Sequence, residues 1–128
     1  MLVPEFFPDA EVVCHCGCGL LPPQSSIERL YALRLTLHRP LLITSGARCR
    51  RQNRAVGGKP GSLHLPQDVR RGASREYGGA AFDILADDAL KVEIIAAAMP
   101  LGFTGFGIAK GFLHIDDGHR PMLTVWRY

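Results

Sequence analysis

His64, Asp83 and His114 are the residues whose types and surroundings could do chemistry in this chain. They fall in three short stretches: Ser62-Leu63-His64, Gly79-Ala80-Ala81-Phe82-Asp83-Ile84 and Phe112-Leu113-His114-Ile115-Asp116. An ionised carboxylate between Phe82 and Ile84 is costly to bury unless a cation pairs with it. If the third stretch is a strand, His114 and Asp116 share one face and Leu113 and Ile115 take the other. Two imidazoles and a carboxylate form a ligand set for a catalytic zinc, with a fourth position left open for water. Spacing alone also fits histidines that merely fill a core or decorate a surface.

These residues need a scaffold. After Pro22-Pro23, Ser25 or Ser26 predicts an N-cap, and Ile27, Leu30, Tyr31, Leu33 and Leu37 recur at helical spacing up to His38. Pro40 ends that helix, and Leu41–Thr44 reads as a buried strand. Residues Arg50–Val56 predict a short helix closed by Gly57 and Gly58. Lys59–Gly79 carries no period and reads as a long loop of the functional or mobile kind. Ala80–Leu85 predicts a strand, and Asp87 or Asp88 caps a helix to Met99 with Leu90, Ile94, Ile95 and Ala98 inward. The tail from Phe103 to Tyr128 reads as antiparallel strands joined by tight turns. The expectation is one α+β domain over residues 1–128, a small, mostly antiparallel sheet with flanking helices and the metal site on the sheet.

Composition agrees with that class. At 128 residues, 47% hydrophobic and 21% charged, the chain suits a single globular core. The net charge of +3 comes with two arginine groups, Arg50, Arg51 and Arg54, then Arg70, Arg71 and Arg75, which read as a mildly basic, solvated surface or as patches that attract polyanions such as nucleic acid or an anionic cell wall. No stretch approaches the roughly 18 apolar residues of a membrane span. Met1–Asp9 lacks the basic and apolar regions of a signal peptide, so delivery outside the cytoplasm would need another route, such as phage-type lysis, a virion or other export. Cys14, Cys16 and Cys18 would share one strand face, with Cys49 the fourth cysteine. Free thiols, a disulfide to Cys49 and a small structural metal site all remain open, and the spacing is not that of a zinc finger.

Five motifs in order carry a resemblance: Ser45-Gly46-Ala47-Arg48, Asn53-Arg54-Ala55-Val56-Gly57-Gly58, Ser62-x-His64, Gly79-x-Ala81-x-Asp83-Ile84 and His114-Ile115-Asp116. Together they resemble the zinc D-Ala-D-Ala carboxypeptidase and murein endopeptidase family, with a cysteine-rich opening similar to its phage-type members. The resemblance implies zinc held by His64, Asp83 and His114, and a substrate among peptidoglycan peptides cut next to a D-amino acid. It implies that Arg48 steadies the substrate or the oxyanion, a task suited to a planar, always-charged fork. Ser62 would contact the substrate backbone or shape the loop.

The chain departs from the family in two places. Eighteen residues separate His64 from Asp83, more than is usual, so Leu65–Gly78 reads as an insertion that also offers Asp68 as a rival ligand. Gly111 and Phe112 stand where relatives often carry a proton-transferring residue. Asp116 is therefore nominated as catalytic base, its other reading being to orient a ligand histidine through the second ring nitrogen. His119 and Asp117 read as turn residues. The alternative function is a non-catalytic cell-wall-binding or virion structural module on the same fold. A nucleic-acid module is disfavoured for want of paired Cys/His spacing or a recognition helix. Neither a membrane nor a nucleic-acid partner is expected, and the oligomeric state is open, a monomer being the default.

Overall fold

Alternation along a single strand sets what the rest of the fold must do. In the computed structural model, which describes residues 9–128, His114 and Asp116 lie on one face of that strand and Leu113 and Ile115 on the other. The elements run α1 (Asp9–Val12), α2 (Gln24–Leu37), β1 (Ile43–Ser45), α3 (Arg50–Ala55), β2 (Ala81–Leu85), α4 (Asp88–Ala98), β3 (Gly105–Ala109), β4 (Phe112–Asp116) and β5 (Thr124–Arg127). Met1–Pro8, within the stretch read for a leader, lies outside the described residues. Among those described, no helix is long and apolar enough to cross a membrane.

The strands form one sheet in the order β1-β2-β4-β3-β5. The β1–β2, β2–β4 and β3–β4 pairs are antiparallel, whereas β3–β5 is parallel. The α+β class and mostly antiparallel sheet are as expected from the sequence, but the tail is not uniformly antiparallel. Lys110-Gly111 closes β3 and β4 into a hairpin, and both edges of β4 are then taken, by β2 and β3. A strand following by a tight turn has no free edge beside β4. The chain instead crosses back, and β5 joins the far side of β3.

The sheet has two unlike faces. Phe82, Ile84, Phe106, Leu113 and Ile115 form the apolar one, packed with Leu30 and Leu33 of α2 and Ile94 and Ala98 of α4 into a single core. Burial of this area is the main term holding the fold. The other face carries Asp83, His114 and Asp116. Residues Ser45, Asp83, His114, Gly107 and Trp126 stand in one cross-strand row over all five strands.

Several local details differ from expectation. α2 is capped by Pro23, whose carbonyl accepts from the Ser26 and Ile27 amides, while the buried Ser26 hydroxyl donates to Asp117 Oδ2 at 2.7 Å. β1 lies slightly later than the predicted run, because Ser45 pairs with Asp83. Val56 is the C-cap of α3, with Gly57 following at φ 76°. Asp87 caps α4 by accepting from the Leu90 amide, as predicted.

The loop before β2 contains a 3-10 turn at Ala73–Tyr77 and is organised around Arg70. That guanidinium is buried rather than solvated. It donates to the carbonyls of Leu65, Ser74, Gly78 and Gly79 at 2.7–3.1 Å. A single side chain thus satisfies backbone groups that a long loop would otherwise bury unpaired.

Candidate metal centre

The β2–β4 register puts Asp83 directly opposite His114, bringing Asp83 Oδ1 within 3.4 Å of His114 Nδ1. His64 arrives from the loop after α3, and three contacts fix it. Its carbonyl accepts from the Arg48 amide at 2.7 Å, its amide donates to Ser62 Oγ at 3.2 Å, and its Nδ1 meets the Gly46 carbonyl at 2.7 Å. Its Nε2 then lies 3.2 Å from Asp83 Oδ1. All three side chains are buried, and one donor atom from each falls within 4.8 Å of the others.

The outward nitrogens decide what the inward ones are. The Gly46 carbonyl can only accept, so His64 Nδ1 carries the ring proton. His114 Nε2 faces Asp116 Oδ2 at 2.9 Å and likewise donates outward. In neutral rings both inward nitrogens are bare lone pairs aimed at a carboxylate. That arrangement is repulsive unless protons or a cation lie between them. Burial pushes the His64 pKa down, with Asp83 offsetting only part of the effect. Burial would also lower His114, but Asp116 and Asp83 outweigh it and the pKa is raised. Burial would raise Asp83, yet the facing His114 and His64 imidazoles outweigh it and hold its pKa far below the usual carboxylate range. Two imidazoles and an ionised carboxylate, two of them locked by outward hydrogen bonds, fit a divalent ion of the zinc type.

A model of the Peptidase M15 family matches residues 6–116. The chain belongs to that family. No curated protein and no solved structure is significantly similar to it. M15 peptidases are metal-dependent, and His64, Asp83 and His114 are the group that could hold the metal here. Asp68, the rival ligand considered from the sequence, is exposed and stands outside this group.

Behind the centre of this M15 domain runs a supporting chain. Asp116 is fully buried, and Arg120 donates to both its oxygens, at 3.1 and 2.7 Å. Burial would raise the Asp116 pKa, but His114 and Arg120 outweigh it and the carboxyl is held low. The Arg120 guanidinium sits between the rings of Tyr77 and Trp126, 5.5 and 5.2 Å from their centroids. Tyr77 belongs to the loop before β2, so that loop buttresses the centre through Arg120. Two β3 glycines make room for this packing. A Cβ at Gly105 would run into the Asp116 carboxylate, and one at Gly107 would meet the Trp126 indole.

Arg48 borders the centre. Its guanidinium donates to Ser45 Oγ at 3.1 Å and Asn53 Oδ1 at 3.2 Å, and its Nη2 is 3.4 Å from Asp83 Oδ2. A cleft of about 560 Å³ opens over these groups, lined by Arg48, Ser62, His64, Asp83 and His114, with Phe112, Trp126 and Tyr128 as an aromatic wall. The Trp126 ring lies 5.1 Å from His114. Asp117 is no mere turn residue: it is buried and accepts from Ser26, Arg29 and the Ala80 amide, tying α2 to the start of β2. His119 is exposed. Sequence reasoning missed Arg120, Tyr77, Trp126 and Tyr128. The one available signal was Trp126, the chain's single tryptophan, at the end of an alternating run.

Proposed function

We propose that the domain is a zinc peptidase acting on peptidoglycan peptides, cleaving an amide next to a D-amino acid as a carboxypeptidase or endopeptidase. The observation that carries the reading is the convergence of His64 Nε2, His114 Nδ1 and Asp83 Oδ1 at the floor of an open cleft, in a chain of the M15 family. A zinc ion held by these three side chains would polarise a carbonyl and acidify water near neutral pH.

The chain's own groups have separable tasks. Arg48, braced by Ser45 and Asn53, presents a fixed cation at the rim of the centre, where negative charge develops on the oxygen of an attacked amide. Phe112, Trp126 and Tyr128 offer apolar area to the peptide and exclude water from one side. Ser62 both lines the cleft and holds the His64 amide, so it shapes the ligand turn while remaining within reach of a substrate backbone.

Asp116 takes the positioning role rather than that of proton carrier expected from the sequence. Arg120 occupies both its oxygens, and His114 stands between it and Asp83. It sets the His114 tautomer that leaves Nδ1 free for the centre.

One observation favours a second reading. Among the described residues lining the cleft, the only carboxylate and imidazoles are those of Asp83, His64 and His114. No spare group of either type is left to carry a proton, which suits a cell-wall-binding or virion module that keeps the metal and has lost cleavage. The deciding experiment incubates zinc-loaded protein with purified muropeptides beside His64→Ala and Asp83→Ala. Cleavage confined to the unmodified chain supports the peptidase. Zinc-dependent binding without cleavage selects the second reading, and identical products from all three proteins overturn the first.

A further inference from the structure

The cleft makes no use of the four cysteines, yet the fold collects them. The Sγ atoms of Cys14, Cys16, Cys18 and Cys49 all lie within 4.8 Å of one another. Cys16 Sγ is 3.5 Å from Cys14 Sγ and 3.5 Å from Cys49 Sγ. We propose that these four thiols form a second metal site, a structural zinc held by four thiolates.

Distances separate this from the alternatives. Disulfide sulfurs are bonded at about 2.05 Å. A tetrahedron of sulfurs about 2.3 Å from a central zinc has edges near 3.8 Å. The observed separations fit such a tetrahedron, and because Cys16 is equidistant from two partners, no disulfide pair is singled out. Free cysteine is usually a buried, apolar-packed residue. Here Cys18 is exposed and Cys16 and Cys49 only partly covered, so packing does not explain the gathering.

The backbone is arranged around the sulfurs. Cys14–Cys18 is not the strand expected from the sequence but a tight turn, with Cys14 N–H donating to the Leu20 carbonyl at 2.8 Å and Gly17 N–H to the Cys14 carbonyl at 3.3 Å. Gly17 and Gly19 take φ of 87° and 82°, conformations that fold successive cysteines inward and that L side chains resist. The Cys49 amide donates to Cys14 Sγ at 3.3 Å and the Gln52 amide to Cys49 Sγ at 3.4 Å. The Arg51 guanidinium lies close enough to Cys16 and Cys49 to interact with them electrostatically. Amide donors aimed at sulfur suit thiolates, and the nearby arginine offsets the excess negative charge of four thiolates around one dication.

The position gives the site a purpose. Cys49 is the N-cap of α3 and directly follows Arg48. An ion on these cysteines ties the turn at residues 14–18 to the segment that carries Arg48 and Asn53. It would act on the cleft by holding that segment, without touching a substrate. The proposal does not depend on the peptidase reading.

Its test counts metal in protein prepared under reducing conditions. Elemental analysis should find two zinc ions per chain, falling to one in Cys49→Ser and also to one in the double variant His64→Ala/His114→Ala. In that double variant the thiols should resist a thiol reagent until a strong chelator is added. Cobalt substitution should give a thiolate-to-metal charge-transfer band in the double variant and none in Cys49→Ser. Should Cys49→Ser fail to fold, the unmodified chain and the double variant still decide. A metal-free double variant with four freely reacting thiols overturns the proposal, as does an intact mass lowered by the hydrogens lost to a disulfide.

Discussion

The two donor clusters of this domain are built in opposite ways. The His64–Asp83–His114 centre rests on the sheet: two of its ligands face each other across β2 and β4, and each imidazole is held from behind, by Gly46 or by Asp116. The cysteine cluster rests on turns and one helix cap, with backbone amides and Arg51 as its supports. A sheet-borne site is organised by the hydrogen bonds and core that hold the whole domain, so its geometry should outlast loss of the ion. A turn-borne site has little apolar packing to replace the ion, which makes the metal itself the staple. Reaction geometry is thus assigned to the rigid element, and local folding to the replaceable one.

The strongest way to break this contrast is to remove a sheet ligand. Asp83→Asn or His114→Ala should abolish muropeptide cleavage and the metal of the centre. Thiol-bound metal should stay, and amide-exchange protection in β2 and β4 should survive; collapse of that protection would show that the ion, not the sheet, organises the centre. Next comes Arg48→Ala, expected to lower kcat by about 10²–10³-fold, the cost of removing one oxyanion donor, with zinc content unchanged. A fall in bound zinc instead would make Arg48 a support of Asp83.

Asp116→Asn sharpens the assignment of the buried carboxylate. Zinc affinity should drop by about 10–100-fold, as for other outer carboxylates of ligand histidines, and kcat should recover in excess zinc. A kcat that stays collapsed at saturating zinc would restore Asp116 as proton carrier. Arg70→Ala leaves four carbonyls of the loop before β2 without their partner and should cost about 1.5–3 kcal/mol in denaturant unfolding while sparing metal content. The smallest effect expected is on pH dependence. The Asp116 pKa is depressed in the fold, so its contribution is complete above the ordinary carboxylate value of about 3.9 and is lost as pH falls through the depressed one. Acid titration of the metal-free protein should show that slope, and Asp116→Asn should flatten it.

Much of the centre was legible along the chain. A carboxylate between Phe82 and Ile84, and polar residues alternating with Leu113 and Ile115, mark strands whose one face must carry something charged. Arg120 was not legible, because an arginine four residues after an aspartate looks like a surface pair until Tyr77 and Trp126 close over it. Arg70 misled for a similar reason, since composition cannot tell a buried guanidinium that organises a loop from its exposed neighbours Arg71 and Arg75. The use of Gly105 and Gly107 appears only when Asp116 and Trp126 occupy the space a Cβ would need.

Local order alone determined helices α2, α3 and α4, the strands β2 and β4 with their two faces, the three ligand types and the M15 motifs, because periodicity, capping and ligand chemistry are properties of neighbouring residues. Only the tertiary structure decided that Asp83 meets His114 in register, that β5 runs parallel to β3, that Asp116 lies behind a ligand and that four cysteines gather in one cluster. Those outcomes depend on which distant segments pack together, and that is set by burial of the whole apolar face rather than by any short stretch.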